Sequence, residues 1–200
     1  MTDRVGSPDI LMVWPYRQAV PEAPLPDGYS VRSLGPREDQ EWIRIHRLAV
    51  PSFGEAQLEG WLARYRELSL SNGILAAIDD STGQPVATAG SIANSKQGMF
   101  PDGGQLAWVA TIPGHQGRGL ARALSAQATA RLVRDGFRRV FLCTGDDLVP
   151  AIGLYRRIGY LPCLYAADQP DRWSRICSQL QVPFEPLRWP TLEEYTRDHS

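Results

Sequence analysis

Leu106-Ala107-Trp108-Val109-Ala110-Thr111-Ile112-Pro113-Gly114-His115-Gln116-Gly117-Arg118-Gly119-Leu120-Ala121 reads as a strand that breaks at Pro113-Gly114, crosses a glycine-rich turn and enters a helix. Glycines at 117 and 119 let the backbone approach a ligand closely. The first N–H groups of the helix then form a nest for an anion with the helix dipole behind it, and phosphate is the natural guest. Arg118 and Arg122 add side-chain charge, and Ala121 is small enough to keep the helix start open. A P-loop would carry Gly-Lys-Ser/Thr where this chain has Gly119-Leu120-Ala121, and a Rossmann fingerprint would carry GxGxxG after the first strand of a βαβ unit. Neither pattern fits.

Working outward, Leu120, Leu124, Ala128 and Leu132 recur every four residues and predict a helix over 120–135, stopped by Gly136. Val140–Thr144 is a short apolar strand of the buried, parallel kind. A helix over 149–158 follows, with Ala151, Leu154, Tyr155 and Ile158 on one face and Asp146-Asp147 before it. Upstream, Tyr29–Leu34 alternates as a strand, Pro36 opens a helix through Ala49, and a second helix spans 55–70, ended by Asn72-Gly73. Ile74–Asp79 and Pro85–Asn94 read as two strands joined by Asp80-Ser81-Thr82-Gly83, the form of a hairpin. Residues 1–28 hold Pro8, Pro15, Pro21, Pro24, Pro26 and Gly28 and read as a Pro-rich arm. This element order predicts an α/β fold with a mixed sheet and crossover helices.

Composition excludes several function classes. The 200 residues carry 21 basic and 22 acidic side chains, so there is no positive excess to neutralise nucleic acid or anionic lipid. No stretch is long enough to span a bilayer, and Pro8, Asp9 and Pro15 interrupt any signal-like run. Cys143, Cys163 and Cys177 form no CxxC pair, which points to a reducing, cytoplasmic setting. Three His and three Cys at unrelated spacings predict no metal site.

The run Gln116-Gly117-Arg118-Gly119-Leu120-Ala121, preceded by a strand and Pro113, resembles the acetyl-CoA signature of the GCN5-related N-acetyltransferase (GNAT) superfamily, Gln/Arg-x-x-Gly-x-Gly/Ala. Ala151-Ile152-Gly153-Leu154-Tyr155-Arg156-Arg157-Ile158-Gly159-Tyr160 resembles the second hallmark of that family, a helix ending in Leu-Tyr-x-x-x-Gly-Phe/Tyr. The resemblance covers about residues 29–165 and implies a centrally splayed sheet flanked by helices. It leaves a C-terminal extension over 166–200, expected to pack on the domain, which replaces a strand, lids the acceptor site or forms a homodimer interface. It also implies acetyl-CoA as co-substrate and no metal. Val109, Ala110 and Thr111 would pair with the pantetheine arm, and Gln116, Gly117, Arg118, Gly119, Leu120, Ala121 and Arg122 would hold the pyrophosphate. The backbone N–H near Val109 would face the thioester carbonyl.

The resemblance further implies that Tyr155 is the proton donor to the CoA thiolate; the bland alternative is a core tyrosine on an apolar helix face. Relatives often place a Glu base where this chain has Gln105 or Cys143. Asp146 or Asp147 could relay the proton through water, or one of them caps the helix. Leu148 stands where many relatives have a cofactor-contacting Asn. Cys143 and Trp108 read as core, with an acceptor wall as the second reading of Trp108, and His46 and His115 read as packing or surface. The function implied is acetyl transfer from acetyl-CoA to a primary amine, of a small molecule or a peptide, by direct attack in a ternary complex. The competing readings are a non-catalytic acyl-CoA-binding or regulatory module on the same fold and a phosphate-binding enzyme of nucleotide type, the latter disfavoured by the missing Lys-Ser/Thr.

Overall fold

In the computed structural model, residues 9–93 and 99–198 are described, and the start of the expected arm lies outside them. The chain forms two compact units, one from Val20–Val140 and one combining the residues up to Ala19 with those from Phe141 onward.

In the Val20–Val140 unit, β2 (Tyr29–Ser33), β3 (Ser69–Asp79), β4 (Gln84–Ala93) and β5 (Gly104–Thr111) pair antiparallel in that order. Helices α1 (Asp39–Ala49), α2 (Glu55–Leu68) and α3 (Leu120–Arg134) cover them. Strand β4 is buried from Pro85 to Ile92. Successive side chains of a strand face opposite ways, and β4 uses both directions. Thr88 meets His46 of α1, and Gly90 lies under Tyr65 of α2. Ser91, on the other face, donates its hydroxyl to the Ala128 carbonyl of α3 at 3.0 Å. The core on the α1/α2 side joins Leu34, Trp42, Leu58, Leu62, Tyr65 and Ile74. Arg66 ties these helices to the sheet: its guanidinium donates to Asp39 and to the carbonyls of Leu34 and Gly35 at 2.5–2.9 Å.

Asn72-Gly73 does not end the second helix. The helix stops at Leu68, where the Ser69 hydroxyl donates to the Tyr65 carbonyl at 2.7 Å, and β3 begins at once. Asn72 and Gly73 sit in a bulge of β3, between the Ser69↔Ile92 and Ile74↔Gly90 pairs. Strand pairing outcompetes the local turn signal there.

In the other unit, which takes β6 (Val140–Thr144) from Phe141 onward, β6, β1 (Ile10–Val13) and β7 (Leu161–Cys163) form an antiparallel ribbon with β1 in the middle. The region read as an arm thus contains a buried strand: Ile10, Leu11, Met12 and Val13 form an apolar run of four that supplies backbone pairing on both sides. The pairing of β6 with β1 is antiparallel. Helix α4 (Val149–Ile158) packs on α5 (Gln169–Leu180), with Gly153 against Leu180. The last helix, α6 (Leu192–Asp198), is capped reciprocally: the Thr191 N–H donates to the Glu194 carboxylate and the Glu194 N–H to the Thr191 hydroxyl. Tyr195 donates to the Trp14 carbonyl at 3.0 Å, so the tail packs back on the chain just after β1.

A Cβ at Gly90 would lie 1.2 Å from the Tyr65 hydroxyl oxygen and 2.4 Å from the ring carbon that bears it. Gly90→Ala is therefore expected to lower stability by about 1–3 kcal/mol through overpacking. Urea unfolding measures this, and an unchanged midpoint would show that Tyr65 yields without cost.

Candidate acetyl-CoA site

The strand β5 leaves its register with β4 midway. Thr88 faces Ala110 and Gly90 faces Ala107, so Trp108 and Val109 together oppose Ala89. This is a β-bulge, and Trp108 takes a left-handed φ of 52°. A bulky residue in that region costs roughly 1–3 kcal/mol and persists only where its surroundings hold it. Two things hold Trp108. Its indole packs edge-on to Trp42 at 5.2 Å between centroids and against Trp61 at 5.2 Å, with His46 edge-on at 5.4 Å. Its carbonyl accepts a 3.1 Å hydrogen bond from the Thr88 hydroxyl. Trp108 is half-buried and packed against the core on the α1/α2 side.

Beyond the bulge the chain turns through Gly114, Gly117 and Gly119, all with positive φ, and Gly119 is the N-terminal cap of α3 with φ 89°. A Cβ at Gly117 or Gly119 would meet no protein atom, so backbone conformation and not crowding demands glycine, and the space over the loop is open. The first backbone bond into α3 runs from the Ala123 N–H to the Gly119 carbonyl. The N–H groups of Leu120, Ala121 and Arg122 therefore lack intrahelical acceptors, and no side chain caps them. Gln116 reaches back to donate to the Thr111 carbonyl at 3.0 Å. Arg118 donates to the Tyr29 hydroxyl at 2.9 Å, and that hydroxyl pairs with Nδ1 of His115 at 2.8 Å. Sequence reading left His115 as packing or surface; the link to Tyr29 is 86 residues long in the chain and has no local signature. The structure brings Val109, Ala110, Thr111 and Gln116 to Arg122 together as one strand, loop and helix start within the Val20–Val140 unit.

Tyr155, on α4 in the other unit, is 7% exposed, and burial pushes its phenol pKa well above the ordinary value. Its hydroxyl has no hydrogen-bond partner among the described residues. Asp146 does not cap α4: its carboxylate accepts from Nε of Arg172 at 3.1 Å, and the Arg172 side chain is 5% exposed. That hydrogen bond holds the Asp146 carboxyl below the usual range. Asp147 is exposed, and Leu148, the N-terminal cap residue of α4, offers no side-chain hydrogen bond. Gln105 keeps its Oε1 buried without a hydrogen-bond partner among the described residues. Among the described residues, no group of His, Cys, Asp and Glu is placed to hold a metal ion, and no helix is long and apolar enough to cross a membrane.

The family model described as "Acetyltransferase (GNAT) family" matches residues 42–160, more than half of the chain. The chain belongs to the GNAT family. Its α/β fold is the GNAT fold: a GCN5-related N-acetyltransferase from Sphaerobacter thermophilus superposes with a TM-score of 0.61 at 23% identity, over 78% of this chain and 49% of that one. A GNAT acetyltransferase from Brucella melitensis, solved with acetyl-CoA, superposes at 0.50 and 22% identity over 66% of this chain and 81% of that one. Among sequences, mycothiol acetyltransferase of Pseudarthrobacter chlorophenolicus is 30% identical over 78% of this chain and 51% of its own length. That of Arthrobacter sp. strain FB24 is 32% identical over 70% of this chain and 45% of its own. The chain thus spans about half the length of these curated relatives.

The Asp146 ion pair has a pH signature. Because its folded-state pKa is lowered, its contribution to stability is present above the unfolded carboxylate pKa and is lost as pH falls through the folded one. Asp146→Asn is expected to be less stable than wild type at pH 7, with the gap closing as the solution is acidified below the ordinary carboxylate range. Thermal unfolding against pH checks this; a gap that persists at acid pH would assign the loss to packing.

Proposed function

We propose that the protein transfers acetyl from acetyl-CoA to a primary amine of a small molecule, by direct attack in a ternary complex. The observation that carries this reading is the bulge at Trp108-Val109 running straight into an open, positive-φ glycine loop at the start of α3. A bulged strand offers backbone groups to the amides of pantetheine, and the unpartnered N–H groups of the helix start suit pyrophosphate. Gly117, Arg118, Gly119, Leu120, Ala121 and Arg122 would hold that pyrophosphate, with Gln116 fixing the loop against Thr111. Val109, Ala110 and Thr111 would align the arm, the backbone N–H at Val109 stabilising charge on the thioester oxygen. CoA supplies the activated acyl group; the chain orients it and shields it from water.

Tyr155 would return a proton to the departing thiolate. Burial keeps the phenol protonated, as a donor must be. Of the two carboxylates proposed to relay the amine proton through water, Asp146 is engaged by Arg172 and made less basic, so the role falls to exposed Asp147. The relatives named mycothiol acetyltransferase and a structural neighbour named aminoglycoside N-acetyltransferase AAC(6')-Iy favour a small-molecule acceptor over a peptide.

Calorimetry with CoA and acetyl-CoA, followed by thiol release with an amine panel and mass spectrometry of the products, tests the reading. Binding without turnover on any amine would replace it with an acyl-CoA-binding module, the reading that Gln105 and Leu148 favour. Tyr155→Phe is expected to lower kcat on the order of tenfold to a thousandfold with acetyl-CoA affinity retained; full rate would make Tyr155 a packing residue. Asp147→Asn is expected to move the rising limb of kcat/KM toward the pKa of the acceptor amine, and an unmoved limb would exclude this carboxylate.

A further inference from the structure

His46 is 2% exposed and Thr88 is fully buried, and the function proposed above uses neither. They sit on different elements, α1 and β4, yet their polar atoms form one chain that ends on the backbone of the bulge. Nε2 of His46 lies 3.2 Å from the Thr88 hydroxyl oxygen, and that hydroxyl donates to the Trp108 carbonyl at 3.1 Å. A hydroxyl has one proton. Since Thr88 gives it to Trp108, the contact with His46 is a hydrogen bond only if Nε2 carries the proton and donates. The imidazole is also clamped in place, stacked on Trp42 at 3.9 Å between centroids. Desolvation lowers its pKa to about 3, so the imidazole is neutral at physiological pH.

The link joins two unusual features of β5. The Trp108 carbonyl belongs to the residue with the left-handed φ, and it is bonded through the same peptide unit to the N–H of Val109. A peptide group is planar and rigid, so fixing the carbonyl fixes the direction of the N–H on its far side. We infer that His46 and Thr88 are positioning residues of the acyl-transfer site: they lock the Trp108–Val109 peptide plane so that the Val109 N–H is aimed at the thioester oxygen. This rests on the reading of the bulge as the acyl-CoA strand. It gives α1 a task beyond core packing, because the helix delivers the imidazole that turns the hydroxyl.

The experiment measures the CoA dissociation constant by calorimetry and kcat and KM for acetyl transfer in wild type, Thr88→Val and Thr88→Ser. Valine keeps the shape and loses the donor; serine restores it. The expected result is a fall in kcat on the order of tenfold to a hundredfold for Thr88→Val, with CoA affinity within about twofold of wild type and recovery in Thr88→Ser. Should Thr88→Val fail to fold, His46→Gln and His46→Phe give the same reading. Glutamine can donate to the hydroxyl and should retain kcat, whereas phenylalanine keeps only the stacking and should lose it. Unchanged kcat in folded Thr88→Val, or a loss that Thr88→Ser does not restore, overturns the inference. So does equal kcat in the two His46 variants. A wild-type chain that binds no CoA would instead remove the parent function, and this inference with it; normal wild-type turnover with indifferent variants removes this inference alone.

Discussion

Strand β4 is buried on both faces, and that constraint organises the Val20–Val140 unit. Eight consecutive residues from Pro85 to Ile92 are out of solvent, between α1 and α2 on one side and α3 on the other. Helices on both sides can approach only if the strand carries small side chains, and Ala87, Thr88, Ala89, Gly90 and Ser91 are all small. Each hydroxyl so buried must find a partner, since an unsatisfied one costs about 1–3 kcal/mol. Ser91 satisfies this on the α3 carbonyl of Ala128, and Thr88 on the carbonyl of Trp108. The packing requirement of one strand therefore reaches into the backbone geometry of the next, at the point where β5 bulges.

The bulge and the glycine loop work by the same physics. Both take backbone polar groups out of regular pairing, which is what the proposed amide-rich and phosphorylated ligand would use. The aromatic group of Trp42, Trp61, Tyr65 and Trp108 backs the bulge with a rigid wall, and stacking among these rings offsets the strain at Trp108. Loop and strand are further joined by the Gln116 bond to Thr111 and by the Tyr29 link to Arg118 and His115. On the proposed reading, fixed dipoles rather than net charge would hold the anion, in keeping with a chain whose formal charge is only −1.

Where GNAT relatives often have a carboxylate base, this chain has Gln105, whose Oε1 is buried, or Cys143, and where many have a cofactor-contacting Asn it has Leu148, which is 49% exposed. The remaining acidic pair before α4 is divided by its surroundings. Arg172, anchored on α5, takes Asp146 into an ion pair, and Asp147 is left in solvent. Two adjacent and chemically identical side chains thus acquire different surroundings from one arginine twenty-five residues or more downstream.

The sequence alone determined what local chemistry can dictate. The helix of residues 120–134 shows in its four-residue apolar period, the hairpin in Asp80-Ser81-Thr82-Gly83, and the turn before α3 in glycines whose positive φ few other residues tolerate. Legible there too were the two motifs around Gln116 and Tyr155, because each is a contiguous run. Pairing across the chain was not legible. Ile10–Val13 becomes a central strand only because β6 and β7 lie on either side of it, and four apolar residues among prolines cannot announce distant partners. Asn72-Gly73, a turn signal in isolation, is a bulge because β4 pairs across it. The chain from His46 through Thr88 to Trp108 spans separations of 42 and 20 residues, and no periodicity encodes a hydrogen bond between a helix and two strands. Tertiary structure decided these because burial sets the demand for partners, and which groups are buried together is a property of the packed chain rather than of any one segment.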